Sequence, residues 1–218
     1  MKKREKILKI AIDSPAAAGA GTLAKQLAKS FNLLYVDTGK LYRLAAYYKL
    51  KNPKKFNLSF LKKKISRLNI NDLEKKELIS DEVGTEASII SKNINIRNIV
   101  HNIQIKAAYN PPPNYSGSCL DGRDITYNII PDADFKFFIT ANLKVRALRR
   151  FKELKKLNTN ITYSKVLKSI KNRDYSDFNR KVAPLKKTKD SILINTSNLT
   201  KRACFLKIKK IIDNKQKK

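Results

Sequence analysis

The segment Lys9-Ile10-Ala11-Ile12-Asp13-Ser14-Pro15-Ala16-Ala17-Ala18-Gly19-Ala20-Gly21-Thr22 constrains this chain more than any other. An apolar run turns into a loop of small residues, and a helical pattern from Leu23 to Ser30 follows at once. A strand, a tight turn and a helix N-terminus in that order make a cradle for an anion, because backbone N–H groups converge there and the helix dipole favours negative charge. The phosphate-loop pattern G-x-x-x-x-G-K-[ST] is broken at three places, however. Ser14 stands at the first glycine, Ala20 at the lysine and Gly21 at the hydroxyl position, with Thr22 one residue later. Backbone recognition survives such changes, whereas the cation that reaches the β- and γ-phosphates does not. Taken alone, the segment reads both as a phosphate loop and as a plain strand–turn–helix corner.

The rest of the chain alternates. Strand patterns occupy Ile7–Ile12, Leu33–Val36, Ser116–Leu120, Phe135–Ile139 and Ser191–Ile194. Helical patterns occupy Thr22–Phe31, Lys40–Lys49, Asn142–Leu157, Tyr163–Arg173 and Thr200–Asp213. Strands alternating with helices predict a parallel sheet covered on both faces, with the ligand beyond the carboxyl ends of the strands. The stretch from about Asn52 to Pro113 breaks the rhythm and reads as an insertion with helices near Thr85–Lys92 and Ile96–Tyr109. Asn158-Thr159-Asn160 reads as a loop tip. Of only 6 glycines, Gly19, Gly21, Gly39 and Gly122 follow predicted strands, where a ligand would approach the backbone; this favours the phosphate-loop reading.

The formal charge is +30. One reading is a nucleic-acid partner. The other is a composition drifted toward Lys, Asn and Ile throughout, since the lysines are spread end to end without interleaved aromatics; this second reading is preferred, with no specific nucleic-acid partner. No apolar run is long enough to span a membrane, and the basic N-terminus lacks a secretory pattern. The 2 cysteines, Cys119 and Cys204, have no metal-ligand spacing and are expected as buried thiols. A cytoplasmic protein, monomeric and with no resident metal site, is the expectation. His101, the single histidine, is expected to be structural.

Chemistry gathers after the strands. Asp37-Thr38-Gly39-Lys40-Leu41-Tyr42-Arg43 follows the second, and Asp121-Gly122-Arg123-Asp124 the third. Arg146, Arg149 and Arg150 recur at helical spacing; Arg173, Asp174, Asp177 and Arg180 come later. Arginine kept in a lysine-rich chain points to a need for planar, bidentate recognition, and phosphate is such a target. Plainer readings exist for each cluster alone: a solvated helix face paired with Glu153, an i,i+3 surface pair, carboxylates capping a turn. A parallel sheet would bring all of them to one cleft.

On these residues the chain resembles the bacterial cytidylate kinase family. The resemblance also rests on Leu34-Tyr35-Val36-Asp37-Thr38-Gly39, Pro131-Asp132-Ala133, Ala183-Pro184-Leu185 and Asn195-Thr196-Ser197, and it spans nearly the full length. It implies an α/β, three-layer P-loop fold with a parallel β-sheet core at 1–50 and 114–218, an inserted NMP-binding subdomain at about 51–113 and a short lid at about 146–162. The implied reaction passes the γ-phosphoryl group of ATP to CMP or dCMP with Mg²⁺. By motif match, Ser14, Pro15, Ala16, Ala17, Ala18, Gly19, Ala20, Gly21 and Thr22 would bind ATP, with Arg146 and Arg150 from the lid. Thr38, Ser88, Arg97 and Asp124 would face the cytosine, with Tyr42 beside them, while Arg173 and Asp177 would hold the sugar. Arg43, Arg123 and Arg180 would grip the acceptor phosphate. Arg123, Asp124, Arg150 and Arg180 are the implied catalytic set.

Three departures stand out. Ala20 removes the loop cation, so Lys25 or a lid arginine is expected to substitute in part. Thr126-Tyr127 replaces the family's Gly-Thr, and Ile105-Lys106 follows Gln104 where an arginine is usual. Alternatives to a cytidylate kinase are a kinase of UMP or AMP, and a catalytically silent relative that binds nucleotide or nucleic acid.

Overall fold

The fold is known from a computed structural model, which describes residues 7–68, 70–156 and 160–216. The basic segment Met1–Lys6, Asn69, Leu157, two of the three residues expected as a loop tip (Asn158 and Thr159) and the last two lysines lie outside these.

Five strands form one sheet: β1 (Leu8–Asp13), β2 (Leu33–Asp37), β3 (Gly117–Gly122), β4 (Phe135–Thr140) and β5 (Ile192–Asn195). Their order is β2-β3-β1-β4-β5, and every pairing is parallel. β1 is central, and the chain turns left to β3 and β2 and right to β4 and β5. The crevice for a ligand opens where those directions diverge, beyond Asp13 and Gly122. The alternation of side chains splits the core in two. Ile10, Ile12, Cys119, Phe137 and Ile139 face α1 (Ala20–Ser30) and α8 (Lys201–Gln216). Ala11, Leu34, Val36 and Leu120 face α2 (Thr38–Lys51) and the helices α3 (Leu58–Ser66), α4 (Asp81–Ile90) and α5 (Ile94–Tyr109). Both cysteines are buried free thiols.

Each expected strand and helix is present, with ends shifted by a few residues. Four elements escaped the sequence reading. α3 is short and carries three consecutive lysines, so only Leu61 and Ile65 mark its buried stripe. Two short 3-10 turns, Ile70–Glu74 and Lys76–Ile79, lead into α4. A single π turn, Ile125–Ile129, follows β3. Asp13 creates this turn's position: its carboxylate accepts from Ile125 N (2.8 Å), Thr126 N (2.9 Å) and Thr126 Oγ1 (2.6 Å).

α6 (Leu143–Lys155) and α7 (Tyr163–Asn179) form a hairpin with its own small core of Ala147, Leu154, Val166 and Ile170. Sequence patterning ends α7 near Arg173. The helix in fact runs on to Asn179, so Asp177 lies on it and Arg180 is its C-cap. The apolar stripe stops at Ile170 because the next turns face charged partners instead of core. Among the described residues no helix is long and apolar enough to cross a membrane.

Candidate active site

The loop Ser14–Gly19 connects β1 to α1 and keeps the shape of an anion cradle. Gly19 caps α1 at φ +91°, a left-handed conformation that suits glycine. Ala17 holds φ +59°, a strained value for a residue with a Cβ. The loop is braced from outside. Arg146 donates to Ala16 O (3.1 Å) and Ala141 O (2.8 Å) and makes a two-pronged pair with Asp174 (3.0 and 2.6 Å). Arg149 donates to Thr196 Oγ1 (2.9 Å) and Thr196 O (2.7 Å), and Thr196 Oγ1 in turn donates to Ala18 O (2.9 Å). Arg146 therefore supports the loop by its backbone; its guanidinium is buried among protein acceptors.

A cavity of about 770 Å³ opens over this loop. Ser14 to Thr22 form its floor, Arg43, Arg123, Arg150 and Arg173 reach its inner wall, and Thr196, Leu199 and Cys204 line its outer end. Five guanidinium-bearing residues, these four and Arg149, from α2, the β3 loop, α6 and α7 thus share one space with the anion cradle. Arg43 donates to Leu78 O (2.6 Å) and Ser80 O (3.1 Å), and Arg150 to Ile79 O (2.9 Å), so both forks hold the same three-residue segment ahead of α4. Gly84 on α4 is explained by this: a Cβ there would meet Arg43 Nη2 at 2.7 Å. Its composition offered no sign of that role, since a glycine inside a helix reads only as a weak point.

Beside the guanidinium wall lies a set of buried ion pairs. Arg97 Nη2 meets Asp124 Oδ2 at 2.5 Å, and Asn128 Nδ2 donates to the same oxygen (2.8 Å). Arg123 Nε meets Asp177 Oδ2 at 2.8 Å. Arg180 lies 3.7 Å from Asp177 and donates to Ser91 Oγ (3.4 Å) and Ala183 O (2.7 Å). Burial pulls the Asp177 carboxyl upward, but Arg123, Arg173 and Arg180 outweigh it and hold the acid below its ordinary value. Thr38 Oγ1 donates to Asp121 O (2.8 Å), which leaves its lone pairs as the group it can offer a ligand. Ser88 is half-buried on α4, its carbonyl taken by Ser91 Oγ (3.0 Å). Tyr42 packs its ring 5.5 Å from the Arg97 guanidinium. Its hydroxyl is buried without a partner and lines a second cavity of about 330 Å³ with Arg97, His101, Gln104 and Tyr127.

Two further residues carry signal that sequence reasoning did not assign. Asp121 Oδ1 is buried and has no partner, while the hydroxyl of Tyr35 donates to the carboxyl. Burial, then Asp37 across the β2–β3 register, drives this acid well above its ordinary value. Gln104 is 1 % exposed, and both ends of its amide lack partners. Asp121 stood inside a quoted motif, but only the pairing of β2 with β3 sets it beside Asp37.

These features match one group of known proteins along the whole chain. The family described as Cytidylate kinase matches residues 10–214. The chain belongs to the cytidylate kinase family. A cytidylate kinase of Mesomycoplasma hyopneumoniae (strain 7448) is 37 % identical over 228 residues, covering 96 % of this chain and 95 % of its own. One of Clostridium botulinum (strain Okra) is 40 % identical over 212 residues, covering 94 % and 97 %. A crystal structure of an uncharacterized protein from Eubacterium ventriosum superposes with a TM-score of 0.54 at 16 % identity, over 95 % of this chain and 99 % of that one; it shows the fold alone. The all-parallel 2-3-1-4-5 sheet is the P-loop architecture the family resemblance predicts, and the activity class is that of a nucleoside-monophosphate kinase using ATP.

Proposed function

We propose that this cytidylate kinase phosphorylates CMP and dCMP, with the donor triphosphate on the Ser14–Thr22 loop and the acceptor phosphate against the arginine wall. The observation that carries this reading is the convergence of Arg43, Arg123, Arg150 and Arg173 on the cavity floored by the loop. The transfer joins an oxygen of the acceptor phosphate to Pγ while the bond from Pγ to the β–γ bridging oxygen breaks and ADP leaves. An ionised acceptor phosphate gives up no proton, so the protein's work is alignment and charge neutralisation. Arg43, Arg123 and Arg180 hold the acceptor phosphate, and Arg150 brings charge from the lid side. Asp177 accepts from the sugar hydroxyls. The NMP-binding part is the stretch from about 51 to 113, and the lid is the stretch from about 146 to 162, which starts on α6 and ends before α7.

Arg97 and Asp124 read the base, with Thr38 and Ser88 at its edge. A carboxylate accepts from the exocyclic amine of cytosine, and a guanidinium donates to N3 and O2. Uracil would present O4 to the carboxylate and N3–H to the guanidinium, so both contacts become repulsive.

Phosphoryl transfer also calls for a divalent cation, and the residues present fit one. Asp121 Oδ1 is an unpartnered buried oxygen, Asp37 stands beside it, and both line the cavity next to Gly21 and Thr22. These two carboxylates would hold Mg²⁺, which when bound neutralises charge on the β- and γ-phosphates.

A coupled ADP-release assay with CMP, dCMP, UMP and AMP tests the assignment. Turnover of CMP and dCMP at least about tenfold above UMP is expected, in line with the roughly 1–3 kcal/mol that one bidentate base contact provides. Equal or greater turnover of UMP or AMP would move the acceptor, and no turnover with any acceptor would overturn the kinase reading.

A further inference from the structure

The loop lysine is replaced by Ala20, whose side chain is 5 % exposed and closes the helix start with a methyl group. A cation must come from elsewhere if the donor phosphates are to be neutralised as the reaction needs. Most candidates around the cavity are already engaged or face water. Lys25 and Lys40 both turn toward Glu74, at 3.8 and 2.8 Å. Arg149 is held by Thr196, and Arg150 by Ile79 O and Glu153. Arg123 is held by Asp177, while Lys152, Lys156 and Lys201 are exposed at the rim.

Arg173 differs. Its Nε is buried and has no hydrogen-bond partner among the described residues, and the residue lines the cavity shared with the loop. Its position against that loop is fixed twice. Val166 and Ile170, on the same face of α7, belong to the small core against which Ala17 packs. The adjacent Asp174 is gripped by Arg146, which also donates to Ala16 O. Arg173 therefore stands between the loop and the acceptor arginines. Burial, then Arg123 and Arg43, with Arg150 adding to them, press its guanidinium down to about 9, against a smaller pull from Asp177. A half-buried guanidinium whose Nε lacks a partner and whose charged neighbours are mostly other guanidiniums is a group whose partner is an anion.

We propose that Arg173 supplies, toward the β- and γ-phosphates of the donor, the positive charge that loops of this kind draw from a lysine at position 20. This rests on the phosphotransfer reading above and moves Arg173 from the acceptor's sugar, where the family resemblance puts it, to the donor's phosphates. One fork then bridges donor and acceptor, and the loop needs only its backbone N–H groups.

The test is a double-mutant cycle of Arg173→Gln and Ala20→Lys, followed by ADP release with CMP. Arg173→Gln is expected to lower kcat by roughly 10²–10³ with the KM for CMP changed by less than about threefold, as loss of one preorganised charge does. Ala20→Lys alone gives the remaining corner of the cycle. In the Arg173→Gln background it should restore at least about tenfold, the non-additivity expected of groups sharing one task. Binding of a non-hydrolysable ATP analogue should weaken by about tenfold relative to ADP in Arg173→Gln. The empty Arg173→Gln protein should melt no lower than wild type, because a repelled cation has been removed; should it melt lower, Arg173→Met, which keeps an apolar stem and removes the charge, takes its place in the cycle. A raised KM for CMP with unchanged kcat and no rescue by Ala20→Lys would overturn the proposal while leaving the kinase reading intact. Absence of CMP turnover by the wild type would overturn both.

Discussion

The Ser14–Thr22 loop offers the cavity mainly backbone; beside it, Arg97, Arg123, Asp124, Asp177 and Arg180 form a wall of ion-paired side chains. The donor loop has lost its first glycine, its lysine and its hydroxyl position, yet Gly19 at φ +91° and the braces from Arg146 and Thr196 keep its turn. The ion-paired wall keeps the residue types the family resemblance names, locked in buried pairs. A backbone N–H is the same whatever side chain follows it, so a phosphate loop tolerates alanines. A guanidinium fork facing a carboxylate has no substitute of equal geometry.

The largest expected effect probes the ion-paired wall. Arg97→Ala strands Asp124 in a buried site, and urea denaturation should show a loss of about 3–5 kcal/mol. A loss under about 1 kcal/mol, the range of exposed pairs, would mean the wall is held by something other than its ion pairs, and the contrast with the loop would fail.

A second measurement concerns Asp13, which joins the two sides by tying β1 to the π turn. Burial raises its carboxyl from 3.8 to about 6, with Asp124 adding to this, against three hydrogen bonds that pull it down. Between these values the native state keeps a proton that the unfolded chain has released. The stability Asp13 contributes is therefore complete below about pH 4 and is lost as pH rises through about 6, an amount on the order of 3 kcal/mol. Denaturation curves at pH 4, 5, 6 and 7 should show this slope in wild type and not in Asp13→Asn. A shared slope would place its origin in other groups.

The smallest effect belongs to the loop. Ala17→Gly relieves the strain of φ +59° but adds unfolded-state entropy and removes a methyl from the α6–α7 core, so stability should change by less than about 1 kcal/mol. The KM for ATP should stay within about twofold. A large rise would show that the loop does depend on its side chains.

Much of this was legible in advance because period and punctuation report local structure. The alternation of Phe135, Phe137 and Ile139 marks a strand whatever lies beside it, and the turn from Asp13 to Gly21 shows its cradle in residue sizes alone. α3 was missed because a single stripe of Leu61 and Ile65 among lysines is too short to stand out. The end of α7 was missed because Asp177 is buried by charge, and apolar periodicity does not register that. Gly84, Tyr35 and Gln104 had no local signal at all, since their roles come from Arg43, Asp121 and a cavity distant in the chain.

By itself the sequence determined the alternation of elements, the small-residue loop and the set of arginines and aspartates, since each is written in neighbouring residues. The tertiary structure decided which of those charges pair. Arg97 finds Asp124, Arg123 finds Asp177 and Arg146 finds Asp174, while Arg173 Nε and Asp121 Oδ1 are left without protein partners. The physical reason is that pairing depends on distance in the low-dielectric interior, and distance there is set by the order of the strands, which no single stretch of the chain contains.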